Sequence, residues 1–243
     1  MFGPRMQARA RPRDEAEKPF WISYADLMTA LMVLFLVVMA VALLAVTKTI
    51  SDEEKARAQH DKEIQTLLDR FEAATKQEQF HGITIDRNRR VIDFGSRAQF
   101  PFAKSTLTPE QQKLLRAFVP KILEKINDDL ARKVLKEIVV DGYTDKKGTY
   151  LSNLDLSLQR SQRVMCTLFA RPNSDEHAIA EEQLEQIRKW FVVGGYSFNA
   201  QKATDEESRR IEMRLQFRAY KETIPEATGN IPSGNFGTCA LPG

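Results

Sequence analysis

Histidine and cysteine are scarce in this chain, three of one and two of the other in 243 residues. His60, His81 and His177 are scattered, and Cys166 and Cys239 stand far apart. No spacing suited to a metal exists, so no metal site is expected. Charge of one sign is also lacking: 36 basic residues against 33 acidic ones leave +3, which gives no electrostatic case for nucleic acid. No internal repeat occurs, and no nucleophile–base pair suggests covalent catalysis, so an enzyme is not expected. Long apolar runs are missing with one exception, which excludes a polytopic membrane protein.

The exception is Phe20 to Val46, whose one charged residue is Asp26. At about 1.5 Å per residue, roughly 20 residues cross the hydrocarbon core of a bilayer. The run exceeds that, and it is longer than the apolar region of a secretory signal, about 7–15 residues. It reads as an uncleaved single span. Arg5, Arg9, Arg11, Arg13 and Lys18 precede it, against Lys48, Lys55 and Arg57 just after it. The positive-inside tendency then places residues 1–19 in the cytoplasm and everything beyond residue 50 outside the inner membrane.

Asp26 is the anomaly of the span. A carboxylate at the centre of a membrane helix costs about 2.5–3.5 kcal/mol on insertion scales, and less near an end. Phe20, Trp21, Ile22 and Tyr24 precede it, and such aromatics mark the interface, so Asp26 lies deeper. Ser23, Asp26 and Thr29 recur at spacing three and form a polar stripe, which faces protein or a water path. Two readings stand: a carboxylate on an ion path, or an acid at the membrane boundary.

Downstream, residues 47–79 contain neither Pro nor Gly, and Ile64, Leu67, Leu68 and Phe71 recur at helical spacing. This segment reads as a linker helix that pairs with a second copy through that stripe; the alternative is a helix lying on its own domain. From residue 82 the pattern changes. "GITIDRNRRVIDFG" alternates around a turn at Arg87–Arg89, a hairpin signal. Thr108 and Pro109 open a helix in "LTPEQQKLLRAFVPKILEKI". "VLKEIVVDGYTD" reads as a buried strand, "NLDLSLQRSQRVMCTLFA" as a helix, residues 175–190 as another helix, and "FVVGGYSF" and "RRIEMRLQFRAY" as strands. Gly194 and Gly195 read as a strand kink and not as a phosphate loop. Residues 221–243 form a Pro/Gly-rich tail without periodicity. The expected fold class is α+β: a single N-terminal transmembrane helix, then one small domain over 80–220.

A second dense motif lies in "VVDGYTDKKGTYLSNLDLSLQRSQRVMCTL". A strand delivers Thr144 and Asp145 to a loop, and Gly148 permits the turn. Asn153 stands where it could cap the next helix, and Arg160, within its second turn beside Leu156 and Val164, could reach back to the loop. Asp145 and Arg160 either form an internal ion pair or receive a zwitterion, amine on the carboxylate and carboxylate on the guanidinium. The cysteines invite a disulfide outside the cytoplasm, pinning the tail onto the motif helix. A buried Cys166 with a free Cys239, or an intermolecular bridge, are the alternatives.

Two stretches carry resemblances. "WISYADLMTALMVLFLVVMA" resembles the entry and span of MotB-type stator subunits. That resemblance implies that Asp26 carries the translocated H+ (or Na+), the only cofactor-like species, with Ser23, Tyr24 and Thr29 lining its path. It also implies a homodimer inside a polytopic MotA-like (ZorA-like) ring of about five copies. The Thr144-Asp145, Gly148, Asn153, Leu156-Ser157, Arg160 pattern resembles the OmpA-like peptidoglycan-binding domain. "FGSRAQFPFAKSTLTPEQQKLL" and "SRRIEMRL" extend the likeness over 82–218. It implies that Asp145 and Arg160 bind the diaminopimelate unit of the peptide stem, with Thr144, Asn153 and Leu156 lining or holding the loop. Ser161, Tyr143 and a longer stretch at 171–189 depart from the pattern. Taken whole, the chain resembles the ZorB stator-like subunits of Zorya anti-phage defence. A flagellar stator subunit and a passive envelope tether remain the alternatives, and a TolR/ExbD-like transducer is disfavoured by the second domain.

Overall fold

The computed structural model describes residues 18–172, 177–223 and 234–241. The chain divides into two compact units, 1–57 and 58–243. One helix, α1 (Lys18–Thr75), supplies the described part of the first and enters the second without a break at residue 46. Pro19 stands in its first turn, where proline is tolerated, and the leading half beyond it is rich in Leu, Met and Ala and free of Pro and Gly, all of which favour helix. It is long and apolar enough to cross a membrane, and its side chains from Trp21 to Ile50 are exposed within the chain.

The second unit holds a five-stranded sheet in the order β1-β2-β5-β3-β4. The strands are β1 (Thr84–Asp86), β2 (Val91–Asp93), β3 (Leu135–Gly142), β4 (Phe191–Gly195) and β5 (Ile211–Phe217). All neighbours are antiparallel except β3 and β4. The hairpin falls where the alternation places it, with Asp86 Oδ1 accepting from Arg89 N at 2.9 Å inside the turn. The helices are α2 (Pro109–Ile126), α3 (Asp129–Val134), α4 (Tyr150–Phe169), α5 (Glu181–Trp190) and α6 (Asp205–Ser208). Thr108 caps α2 as expected, in a reciprocal box with Gln111 (2.9 and 3.3 Å). The helix expected over 175–190 begins only at Glu181; residues 177–180 are not helical, and 173–176 lie outside the described residues.

One face of the sheet packs on the helices through Leu135, Ile138, Val140, Ile211, Met213 and Leu215. The other carries buried carboxylates under cations: Asp141 against Arg214 (2.7 Å), and Glu212 against Arg89 (2.6 Å) and Arg210 (2.8 Å). Burial pushes the Asp141 carboxyl up in spite of Arg214. The two glycines read as a kink instead answer close packing. A Cβ on Gly194 would stand 2.6 Å from Asp141 Oδ1 and one on Gly195 2.6 Å from Leu158 Cγ on α4; on the neighbouring strand, a Cβ on Gly142 would stand 1.9 Å from the Ser157 carbonyl oxygen. The strand ends are bare so that α4 can close over them.

The largest correction concerns the stripe on α1. Ile64, Leu67, Leu68, Phe71 and Ala74 are buried in the core of the chain's own domain, beside Phe80, Phe94 and Phe118. They are therefore not available to pair with a second copy. Ion pairs fix the same stretch: Arg87 to Asp69 (2.6 Å) and Glu72, Lys133 to Glu63 (2.8 Å), and Arg70 to Asp128. Lys133 holds the Glu63 carboxyl below its ordinary range. Phe71→Ala is expected to cost about 3–5 kcal/mol in urea unfolding, the value of a large core truncation. A cost below about 1 kcal/mol would fit a surface stripe instead.

Cys166 and Cys239 are bonded, with their Cα atoms 5.3 Å apart. The expected pairing within one chain is thus the one formed. Phe236 packs its ring 5.0 Å from Phe169, and Gly234 N donates to Glu185 Oε1 at 2.9 Å. Residues 224–233 and 242–243 of the expected tail lie outside the described residues. Replacing both cysteines by serine is expected to lower stability by about 4 kcal/mol on the chain-entropy model, read by calorimetry without reductant.

Candidate functional site

Two groups of residues were expected to carry function, and they fall in different units. On α1, Asp26 lies between two surface grooves. Ser23, Tyr24, Leu27 and Ala30 border one with it, and Thr29, Ala30, Val33 and Val37 border the other. Thr29 Oγ1 donates to the Asp26 carbonyl oxygen at 2.9 Å. Its hydroxyl adds a second bond to a carbonyl inside the helix, and the carboxylate is the stripe's ionic group. Among the described residues no cation pairs with Asp26.

The second group gathers around a cavity of ≈ 340 Å³. Thr144, Asp145, Asn153, Leu156 and Arg160, all singled out from the sequence, line it together with Phe102, Lys147 and Arg209. The local fold explains the convergence. β3 ends at Gly142 and delivers Tyr143, Thr144 and Asp145, while Gly148 takes a φ of +100° that turns the chain toward α4. Thr149 caps α4 by accepting from Ser152 N, a role expected of Asn153. Asn153 instead ties the loop from inside, its Nδ2 donating to the carbonyl oxygens of Lys147 (2.9 Å) and Thr149 (3.1 Å).

The expected partnership between Asp145 and Arg160 is not a direct ion pair. Arg160 is fully buried in the third turn of α4 and donates to three backbone carbonyls: Tyr143 (2.6 Å), Lys104 (2.9 Å) and Pro101 (3.3 Å). Its guanidinium also lies 4.9 Å over the Phe100 ring. Burial pulls its pKa down to about 10, partly offset by the Asp145 charge. Arg160 thus clamps the 101–104 loop to the end of β3. Asp145 pairs with Arg209 instead (2.9 Å), and its other oxygen accepts from Lys147 N at 3.0 Å. Arg209 is held in turn by the Phe100 carbonyl (3.0 Å) and Glu206 (2.8 Å).

One polar atom in the cavity is unsatisfied. Thr144 Oγ1 is buried and has no hydrogen-bond partner among the described residues. Its backbone is fixed at both ends, N to the Ser197 carbonyl (2.9 Å) and the carbonyl from Gln201 Nε2 (3.0 Å). A buried hydroxyl without a partner costs about 1–3 kcal/mol unless something fills its valence. The cavity wall therefore combines this unpartnered buried hydroxyl, a carboxylate locked by Arg209, a rim lysine that pairs with Asp205 at 3.0 Å and the apolar side chains of Phe102 and Leu156. Arg209 was missed by the reading of the sequence. It was visible as the first Arg of "RRIEMRL", but nothing in linear spacing shows that it returns to Asp145.

These features define a protein with one helix, among the described residues, long and apolar enough to cross a membrane, followed by a pocket-bearing α+β domain. The family description "Membrane MotB of proton-channel complex MotA/MotB" matches residues 5–51, and the OmpA family matches residues 99–174. A Zorya protein ZorB from Escherichia coli O139:H28 is 45% identical over 227 residues, covering 93% of this chain and 92% of that one. The chain belongs to the ZorB family. Among solved structures, the cell wall anchor of the T6SS from Pseudomonas aeruginosa is similar at 21% identity with a TM-score of 0.40, covering 62% of this chain and 97% of that one. The periplasmic domain of Helicobacter pylori MotB is similar at 18% identity and TM-score 0.35, covering 54% and 75%.

Proposed function

We propose that this chain is the peptidoglycan-anchored stator subunit of a Zorya-type, ion-driven inner-membrane complex acting in defence against phage. In this reading the N-terminus is cytoplasmic, residues 20–46 of α1 span the membrane, and the domain grips peptidoglycan in the periplasm. Two copies hold their spans still inside a MotA-like ring of about five subunits. Proton uptake and release at the paired Asp26 carboxylates then turns the ring stepwise. Membership of the ZorB family supports the setting. The observation that carries the mechanism is the placement of Asp26, one carboxylate in an otherwise uncharged membrane helix, where an ionisable group is retained for function. The 340 Å³ cavity supports the anchoring half, since the unpartnered Thr144 hydroxyl in its wall suits a polar peptide stem.

The test is purification from membranes in mild detergent followed by native mass measurement. The expected species contains two copies of this chain and about five of a polytopic partner. Recovery of the chain alone, or with cell-wall fragments only, would reduce it to a passive tether and Asp26 to a boundary residue.

A further inference from the structure

The two edges of the sheet are built differently. β1 is three residues long and charged, ending at Asp86, with Arg87 just beyond it drawn to Asp69 and Glu72 on α1. β4 reads Phe-Val-Val-Gly-Gly, without a charge or a proline. Its inner edge pairs with β3, and among the described residues no strand pairs with its outer edge. Val192 and Val193 point to opposite faces and are both exposed, at 38% and 44%. Among the described residues the edge is thus open along its hydrogen-bonding groups and on both faces. Leu158, which contacts the Gly195 end, and Leu151, two turns earlier on α4, extend the apolar surface with exposures of 41% and 73%. An edge without charged or kinked residues is a template for another strand, and proteins normally guard against that. Guarding one edge and leaving the other bare points to use.

We propose that the outer edge of β4 is the surface on which a second copy of this domain docks, the two β4 strands pairing antiparallel about a twofold axis at Val193. This inference rests on the reading of the chain as one of a pair. An isologous contact sets each patch against itself, and an uncharged strand does so without repulsion. The flanks are complementary under the same axis. Exposed Lys189 precedes the strand, and exposed Asp155 lies on α4 one turn before Leu158, at the strand's far end. Antiparallel pairing brings the start of one strand beside the end of the other, so each Lys189 faces the Asp155 of the second copy. The buried stripe of α1 cannot serve this purpose, whereas the β4 edge is exposed, apolar and able to match itself.

The experiment uses the full chain in membranes, with the native Cys166–Cys239 pair intact. Val193→Cys is oxidised with copper–phenanthroline and run without reductant, beside Thr84→Cys on the opposite edge. Twofold pairing brings the two Val193 Cβ atoms within about 4.5–5.5 Å, so most of the Val193→Cys chain should shift to twice the monomer mass while Thr84→Cys stays monomeric. Native mass of the unmodified chain in mild detergent accompanies the assay. A dimeric mass without the Val193 cross-link, or with equal cross-linking through Thr84, overturns the β4 interface and leaves the paired reading standing. A monomeric mass overturns both.

Discussion

Asp26→Asn is expected to leave the complex assembled and to remove its activity entirely, returning phage plating to the level of cells without the system. Asparagine matches aspartate in size and can hydrogen-bond as it does, so helix packing and membrane insertion should survive. What it cannot do is exchange a proton. If work is drawn from protonation and release at this position, no residual fraction is expected, because no other charged residue lies in the run from Phe20 to Val46. Thr29 cannot substitute, since an alcohol does not give up its proton in this pH range; its hydroxyl donates to the Asp26 carbonyl oxygen. Co-purification of the ring partner with the Asn variant is the control that separates lost chemistry from lost assembly. Full protection by an assembled Asp26→Asn complex would end the ion-path reading.

The parts of the fold that were legible in the sequence are those set by local chemistry. The span, the hairpin around Arg87–Arg89 and the Thr108–Pro109 helix start each depend on residues within a few positions of one another. Helical spacing also identified the stripe at Ile64–Phe71, yet periodicity reports that a face is apolar and not what covers it. The cover is the sheet and α2, which are distant in sequence, and the ion pairs of Arg87 and Lys133 back to α1 are equally non-local.

The cavity repeats the lesson at atomic scale. Its members Thr144 to Arg160 were readable because one strand–loop–helix segment carries them. The electrostatics were not, because Asp145 is answered by Arg209 and Arg160 by carbonyls from 101 to 104, both from other parts of the chain. The roles are consequently divided. Arg160 is a structural clamp that shapes the loop, Arg209 fixes the carboxylate, and Asp145 and Thr144 line the cavity.

That division gives Thr144→Val a distinctive signature. Valine keeps the shape and β-branching of threonine and deletes only the hydroxyl. Among the described residues that hydroxyl is buried without a partner, so its removal should relieve a desolvation penalty and raise stability by about 1 kcal/mol. If the same hydroxyl is completed by peptidoglycan, binding should fall by an order of magnitude or more, since about 1.4 kcal/mol corresponds to tenfold. Stability and affinity then move in opposite directions, which a general disturbance of the fold cannot produce. Asp145→Ala should also abolish sedimentation with purified peptidoglycan, but it strands Arg209 beside an empty position and costs stability as well, so its loss of binding is the less specific result. Arg160→Ala is weaker evidence still, because three carbonyls lose their donor and the loop that forms one wall of the cavity is released. A more stable Thr144→Val domain that sediments as fully as the parent would show that the guest does not reach this hydroxyl, and would shift the anchoring contact toward the rim formed by Phe102 and Lys147.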